Sequence, residues 1–223
     1  MELVAYGLDR RFRRNTGDGN FFEAVHRVDL TFRGGEMTVL TGRSGSGKTT
    51  LMTMLAGLLP PSDGTVTLDG KDIYSLPDTE LSRLRARRFA VIPQGNAALS
   101  SMTVMENILF TAALAGLDPP VRQAGTLMER LGILRLKEVW PGELSGGELR
   151  RMSVARALAA GTDFVFADEP TADLDDENTI LTLEILKEAA RTGKAVFVVT
   201  HEREATDYAD VLLRMDAGKL ITI

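Results

Sequence analysis

Gly42-Arg43-Ser44-Gly45-Ser46-Gly47-Lys48-Thr49 is the stretch whose reading decides how this chain folds. Just before it, Met37 to Thr41 is a short apolar, β-branched run of the kind that forms a buried strand. Just after it, Lys48 to about Leu58 reads as a helix, stopped by Pro60-Pro61-Ser62-Asp63-Gly64. Strand, glycine-rich loop and helix in that order make a phosphate cradle. Glycines let successive backbone N–H groups converge on phosphate oxygens where a side chain would intrude, and the helix adds its positive N-terminal end. In such a loop Lys48 reaches the β- and γ-phosphates, the Thr49 hydroxyl is a Mg²⁺ ligand, and Thr50 follows at the nucleotide side.

Outward from the loop, the amino-terminal region reads as short strands. Glu2 to Leu8 alternates, Ala24 to Phe32 carries apolar positions, and Asn15-Thr16-Gly17-Asp18-Gly19-Asn20 between them is hairpin-turn chemistry. Thr65 to Leu68 returns as a strand, followed by an Asp69-Gly70 turn. A basic helix with Arg83, Arg85, Arg87 and Arg88, read as a solvated face, precedes the apolar strand Phe89 to Ile92. From Asn96 to Glu143 the character changes to helical segments broken by Asp118-Pro119-Pro120, read as an inserted helical lobe. Phe164 to Ala167 and Ala195 to Thr200 then resume the pattern of buried parallel strands. Met52 and Met54 read as core filler.

The first of these late strands delivers Asp168 and Glu169 at its carboxyl end, where ligands of open parallel sheets gather. In phosphoryl transfer such a pair divides its work: Asp168 holds the Mg²⁺ shell and Glu169 orients the attacking water. A capping acidic pair ahead of Pro170 would look the same in isolation; the upstream phosphate loop is what weights the catalytic reading. Leu144-Ser145-Gly146-Gly147-Glu148 opens a further helix, so it offers free N–H groups, a hydroxyl and a positive dipole end. Ser145 with Glu148 three residues on also fits a capping box, and both readings can hold together.

These motifs, in this order, resemble the ATPase cassette of ABC transporters over the full length of the chain. The resemblance implies an α/β fold: a P-loop NTPase, RecA-like core with an N-terminal antiparallel β subdomain and an inserted α-helical subdomain. Residues 1–95 and 145–223 would form the core with its β subdomain, and 96–144 the helical subdomain, within one domain. It implies ATP and Mg²⁺ as ligands, and cassettes paired head-to-tail, each ATP lying between one phosphate loop and the other copy's signature loop. Ser145, Gly146 and Gly147 would then touch the γ-phosphate held by the second copy's Lys48. Gln94 resembles the loop glutamine that touches Mg²⁺ or water and senses the membrane partner. Thr171-Ala172-Asp173-Leu174-Asp175, with Asp173 at its centre, resembles the loop linking the two sites, and His201 the histidine that contacts the γ-phosphate. Phe12 best matches the aromatic that stacks on adenine, with Phe21 and Phe22 as competitors.

Glu148 stands where many members carry glutamine, a variant similar to the lipoprotein-release, macrolide-efflux and cell-division branch. The resemblance implies a motor that drives a separate transmembrane permease from the cytoplasmic face of the membrane, by export or mechanotransmission. The alternative is a soluble assembly ATPase such as those of iron-sulfur cluster biogenesis. A genome-maintenance relative is disfavoured, since no coiled coil splits the motifs.

Composition agrees with these readings and narrows them. At 223 residues, 44% hydrophobic and 26% charged, the chain has the balance of a globular protein. A net charge of -5 argues against a nucleic-acid partner. With no cysteine and only His26 and His201, disulfides and Cys- or His-built metal sites are excluded or improbable, and His26, outside any motif, reads as structural. No leader or apolar stretch of membrane-spanning length is visible, and the 22 residues after His201 leave no room for an appended regulatory domain.

Overall fold

The computed structural model describes residues 1–13, 21–95, 97–118 and 120–222. The expected turn at Asn15–Asn20, and Asn96 and Pro119 in the helical stretch, lie outside the described residues. Two sheets organise the chain. Strands β1 (Glu2–Arg13), β2 (Phe21–Arg33), β4 (Asp63–Leu68) and β5 (Lys71–Asp72) form an antiparallel sheet in the order β2-β1-β4-β5. Strands β3 (Met37–Thr41), β6 (Phe89–Ile92), β7 (Phe164–Asp168), β8 (Ala195–Thr200), β9 (Val211–Asp216) and β10 (Lys219–Thr222) form the second, in the order β10-β9-β3-β8-β7-β6. In it β9, β3, β8, β7 and β6 run parallel, and only the edge strand β10 is antiparallel.

Of the parallel strands, β7 and β8 read as unbroken apolar runs because both their faces are covered. Every residue of β7 and of β8 is buried. One face carries helices α3 (Val104–Leu114), α4 (Val121–Arg130), α5 (Gly146–Ala159) and α6 (Asp176–Arg191) over a core that includes Met152, Val165, Leu183 and Val198. The other face meets α1 (Lys48–Leu55) and the antiparallel sheet, in a core where Phe32 of β2 lies 5.6, 5.7 and 5.4 Å, ring centre to ring centre, from Phe164, Phe166 and Phe197. That aromatic cluster fixes the antiparallel sheet against the parallel one.

Local chemistry sets the element ends. α1 stops at Leu55, short of the expected Leu58, because Gly57 adopts a positive φ of 68° and the Leu58 N–H turns back to Thr53 O. α3 starts on a full capping box between Thr103 and Glu106. The basic run of α2 (Asp78–Arg88) is only partly a solvated face: Arg83 and Arg87 are exposed, but Arg85 Nη1 donates to Gly57 O and Arg88 pairs with Asp163. Met52 and Met54 are buried, as expected. His26 has a structural setting: its Nδ1 lies 3.4 Å from Asp9 and 3.2 Å from Glu23, whose other carboxylate oxygen accepts from Arg11.

Candidate functional site

Four adjacent parallel strands end on one edge of the sheet, and each ends in a residue group singled out by its sequence. β3 runs into the phosphate loop, β8 into His201, β7 into Asp168 and Glu169, and β6 into Pro93 and Gln94. This is the carboxyl edge at which α/β sheets bind ligands. A cleft of roughly 510 Å³ opens there, lined by Ser44 to Thr50, Gln94, Asp168, Glu169 and His201, with Phe12, Phe22 and Ala24 forming its far wall.

The loop holds its shape through backbone geometry that only glycine tolerates. Gly47 has φ 105°, and a Cβ there would lie 2.0 Å from the carbonyl oxygen of Ala24 on β2. Gly42 is similarly seated against the carbonyl of Met215. Ser46 N donates to Arg43 O and Ser46 O accepts from Gly218, which pins the loop to the β9–β10 turn. Among the described residues the amides of Gly45, Gly47, Lys48 and Thr49 donate to no backbone carbonyl, so they remain available at the head of α1. Lys48, 7% exposed, hangs over the loop with Nζ 2.8 Å from Gly42 O and 3.1 Å from Arg43 O.

Opposite the loop, the acidic pair is deeply set. Asp168 is 2% exposed and its Oδ2 accepts from Thr49 Oγ1 at 2.7 Å. Burial raises its pKa, reinforced by the neighbouring Glu169 charge and opposed by Thr49, Lys48 and Arg150. Glu169 is a non-glycine residue in the left-handed region, φ 51°, a strained position that turns its side chain back over the strand ends. There its Oε1 lies 2.9 Å from His201 Nδ1 and its Oε2 accepts from Thr200 Oγ1 at 3.0 Å. His201 stands out from the edge, its side chain 68% exposed, and the bond to Glu169 raises its pKa.

Not every residue expected at the site meets there. Arg43 and Gly42 border a second depression behind the loop, with Arg203, Arg214 and Asp216, and are absent from the cleft lining. Ser145, Gly146, Gly147 and Asp173 also lie outside the cleft. Ser145 caps α5, its Oγ accepting from Glu148 N and donating to Glu148 Oε2, while Ser145 and Gly146 are exposed. Gly147 packs against Asp173 O and Leu174, so these two loops form one surface. On the far wall Phe12 is joined by Phe22, its direct partner across β1 and β2, and the Arg10 guanidinium lies 4.8 Å from the centre of the Phe12 ring. Phe21 does not line the cleft.

Sequence reasoning passed over two groups. Thr200, an ordinary strand residue by its surroundings, bonds Glu169. Arg150, which reads as a surface arginine on a helix, is 3% exposed.

The chain matches the ABC transporter family model over residues 25–172, and it belongs to that family. Among curated relatives it is 36% identical over 213 residues to the macrolide export ATP-binding/permease protein MacB of Nitrosomonas europaea, an overlap of 95% of this chain and 32% of that protein. It is 37% identical over 221 residues to the probable syringafactin export ATP-binding/permease protein SyfD of Pseudomonas syringae, covering 98% of this chain and 33% of the relative. The chain thus spans about a third of the length of these relatives. The fold superposes with a TM-score of 0.90 on a dimeric, post-hydrolysis structure of the ATP-binding cassette MJ0796 bound to ADP and Pi, at 24% identity over 99% of this chain and 98% of the other. The fold is that of an ABC ATPase cassette, as the sequence motifs implied.

Proposed function

We propose that the chain is the ATP-binding and ATP-hydrolysing motor of an ABC transporter, working as a pair of copies around two ATP molecules and driving a transmembrane permease. The observation that carries this reading is the convergence of unpaired loop amides, Lys48 and the Glu169–His201 contact in one cleft. The phosphate chain lies along the amides of Gly45, Gly47, Lys48 and Thr49, with Lys48 leaving its loop carbonyls for phosphate oxygens. The adenine ring rests against the Phe12 and Phe22 wall. Glu169 positions the attacking water, while His201 and Thr200 hold its carboxylate in place.

The donor set suits Mg²⁺: Thr49 Oγ1 and Asp168 Oδ2 are neighbouring hard oxygens at the cleft, and Gln94 adds an amide oxygen at its rim. When bound, Mg²⁺ neutralises phosphate charge. Residues 96–144 act as the helical subdomain between the core formed by 1–95 and 145–223 and the permease.

Ser145, Gly146, Gly147 and Asp173 lie away from their own chain's cleft, which supports their serving the cleft of a second copy. The relatives are export proteins named for joining ATP binding to a permease, which favours transport over an assembly role. Among the described residues no helix is long and apolar enough to cross a membrane. The likeness to ATP-binding/permease proteins supports a place at the cytoplasmic face, peripheral through a permease.

Glu169→Gln tests the assignment. ATP binding is expected to persist, turnover to fall on the order of a hundredfold or more, and a closed pair to accumulate, measured by phosphate release and sedimentation. Turnover at the parent rate removes Glu169 from its role.

A further inference from the structure

Among the described residues Arg150 is the most deeply buried guanidinium, and the reaction above assigns it no task. It lies early in α5, five residues after Ser145, and is 3% exposed. Moving a permanent cation to that depth is costly, and a helix position facing a core would ordinarily take an apolar residue. Its Nη1 donates to the carbonyl oxygen of Pro93 at 2.8 Å. Its charge is balanced through space by Asp173, Asp168, Glu169 and Glu202, while burial lowers its pKa.

Pro93 immediately precedes Gln94, which among the described residues is the only one that β6 and the loop after it supply to the cleft. Further along the same helix, Arg156 Nη1 donates to the carbonyl of Ala97 at 2.7 Å. The two bonds bracket Gln94. The loop therefore hangs from two guanidinium groups of one helix, and that helix begins at Ser145. A helix of 14 residues transmits displacement along its axis with little deformation, about 1.5 Å of length per residue.

We propose that Arg150, assisted by Arg156, is a positioning residue that yokes the Gln94 loop to the signature helix, so that nucleotide contact at Gln94 and the placement of Ser145 change together. Neither arginine lines the cleft, so the yoke acts through Gln94 and not on the reacting atoms. The inference rests on the ATP reading above and adds to it the physical link between the two anion-facing regions of one chain.

Hydrogen exchange of the full chain carrying Glu169→Gln, with and without ATP and magnesium, tests it. Dilution keeps the chain monomeric, checked by sedimentation, so that a response at 145–149 arises within one copy. With Arg150 present, ATP is expected to change exchange in 93–97 and in 145–149 together, by about fivefold or more. In Arg150→Met the loop still responds, the response at 145–149 shrinks to within about twofold, and ATP affinity measured by equilibrium dialysis is unchanged. Arg150→Lys, which keeps a cation at the site, restores part of the joint response. A joint response in Arg150→Met equal to the parent's, or a parent response confined to one segment, overturns the yoke. If Arg150→Met does not fold, Arg156→Met carries the same expectation at reduced size, and an undiminished joint response there overturns the yoke as well. Absence of ATP binding in the dialysis measurement defeats the ATP reading itself, a failure distinct from a bound but uncoupled chain.

Discussion

At the head of α1 the phosphate loop is walled in by its own chain: Gly47 abuts the Ala24 carbonyl, Gly42 the Met215 carbonyl, and the β9–β10 turn bonds Ser46. At the head of α5 Ser145 and Gly146 stand exposed, held by one capping box and a contact with the Asp173 loop. Both are helix N-termini with free donors, yet one is a finished cradle and the other half of one. The difference teaches that exposure, more than motif, separates a site enclosed within one chain from a surface left open, the one the proposed pairing assigns to a second copy.

The largest test of that contrast is a pair of glycine substitutions. Gly47→Ala places a Cβ 2.0 Å from Ala24 O at a φ of 105° and is expected to cost about 3 kcal/mol or more, with loss of nucleotide binding. Gly146→Ala meets nothing nearer than Asp173 Cβ at 3.8 Å, and its stability is expected to stay within about 1 kcal/mol of the parent. Equal costs in urea unfolding would erase the distinction between the two loops.

Next in size, Lys48→Ala is expected to weaken ATP binding by on the order of a hundredfold, since a charge-assisted contact to phosphate is lost. Titration calorimetry with unchanged affinity would show that the enclosed loop is not the phosphate site. Ser145→Ala sharpens the other side: it removes an N-cap and is expected to lower stability by about 1 kcal/mol in thermal unfolding while leaving single-chain ATP affinity alone.

The smallest effect concerns pH. The folded chain holds the His201 imidazolium against Glu169, so its pKa is raised above the usual 6.5. That contact stabilises the fold fully below 6.5 and is lost as pH rises through the elevated folded value. His201 is largely exposed, so solvent screens the gain. Glu169→Gln is expected to return the His201 titration, followed by NMR, toward 6.5.

The central sheet was legible because four of its parallel strands are closed apolar runs with a motif at their ends: β3, β6 and β8 fall on the residues read from sequence, while β9, broken by Arg214 and Asp216, carried no such signal. The antiparallel strands were read too short, since β1 continues through polar Asp9 to Arg13 where alternation fades and the register slips. The floor of the cleft was legible for the same reason as the sheet, as a phosphate loop leaves few backbone solutions. Its wall was not. Phe12 was singled out by pattern, but which aromatics flank a cleft depends on strand pairing, which brought Phe22 beside it and left Phe21 off the wall. Arg43 belongs to the motif by position, yet it borders the depression behind the loop. Arg150 carries no local signal, because an arginine in a polar helix start looks the same whether it faces water or carboxylates.

The pairing of Phe12 with Phe22 has a consequence for tolerance to substitution. Both side chains line the cleft from paired positions on adjacent strands, so substitution of either leaves one aromatic side chain on that wall. If that wall takes the adenine ring as proposed, the stacking surface is shared between two positions, and neither alone carries it. Single substitutions at this wall are therefore expected to be tolerated one at a time, whereas Gly47, wedged against a carbonyl, admits no side chain at all.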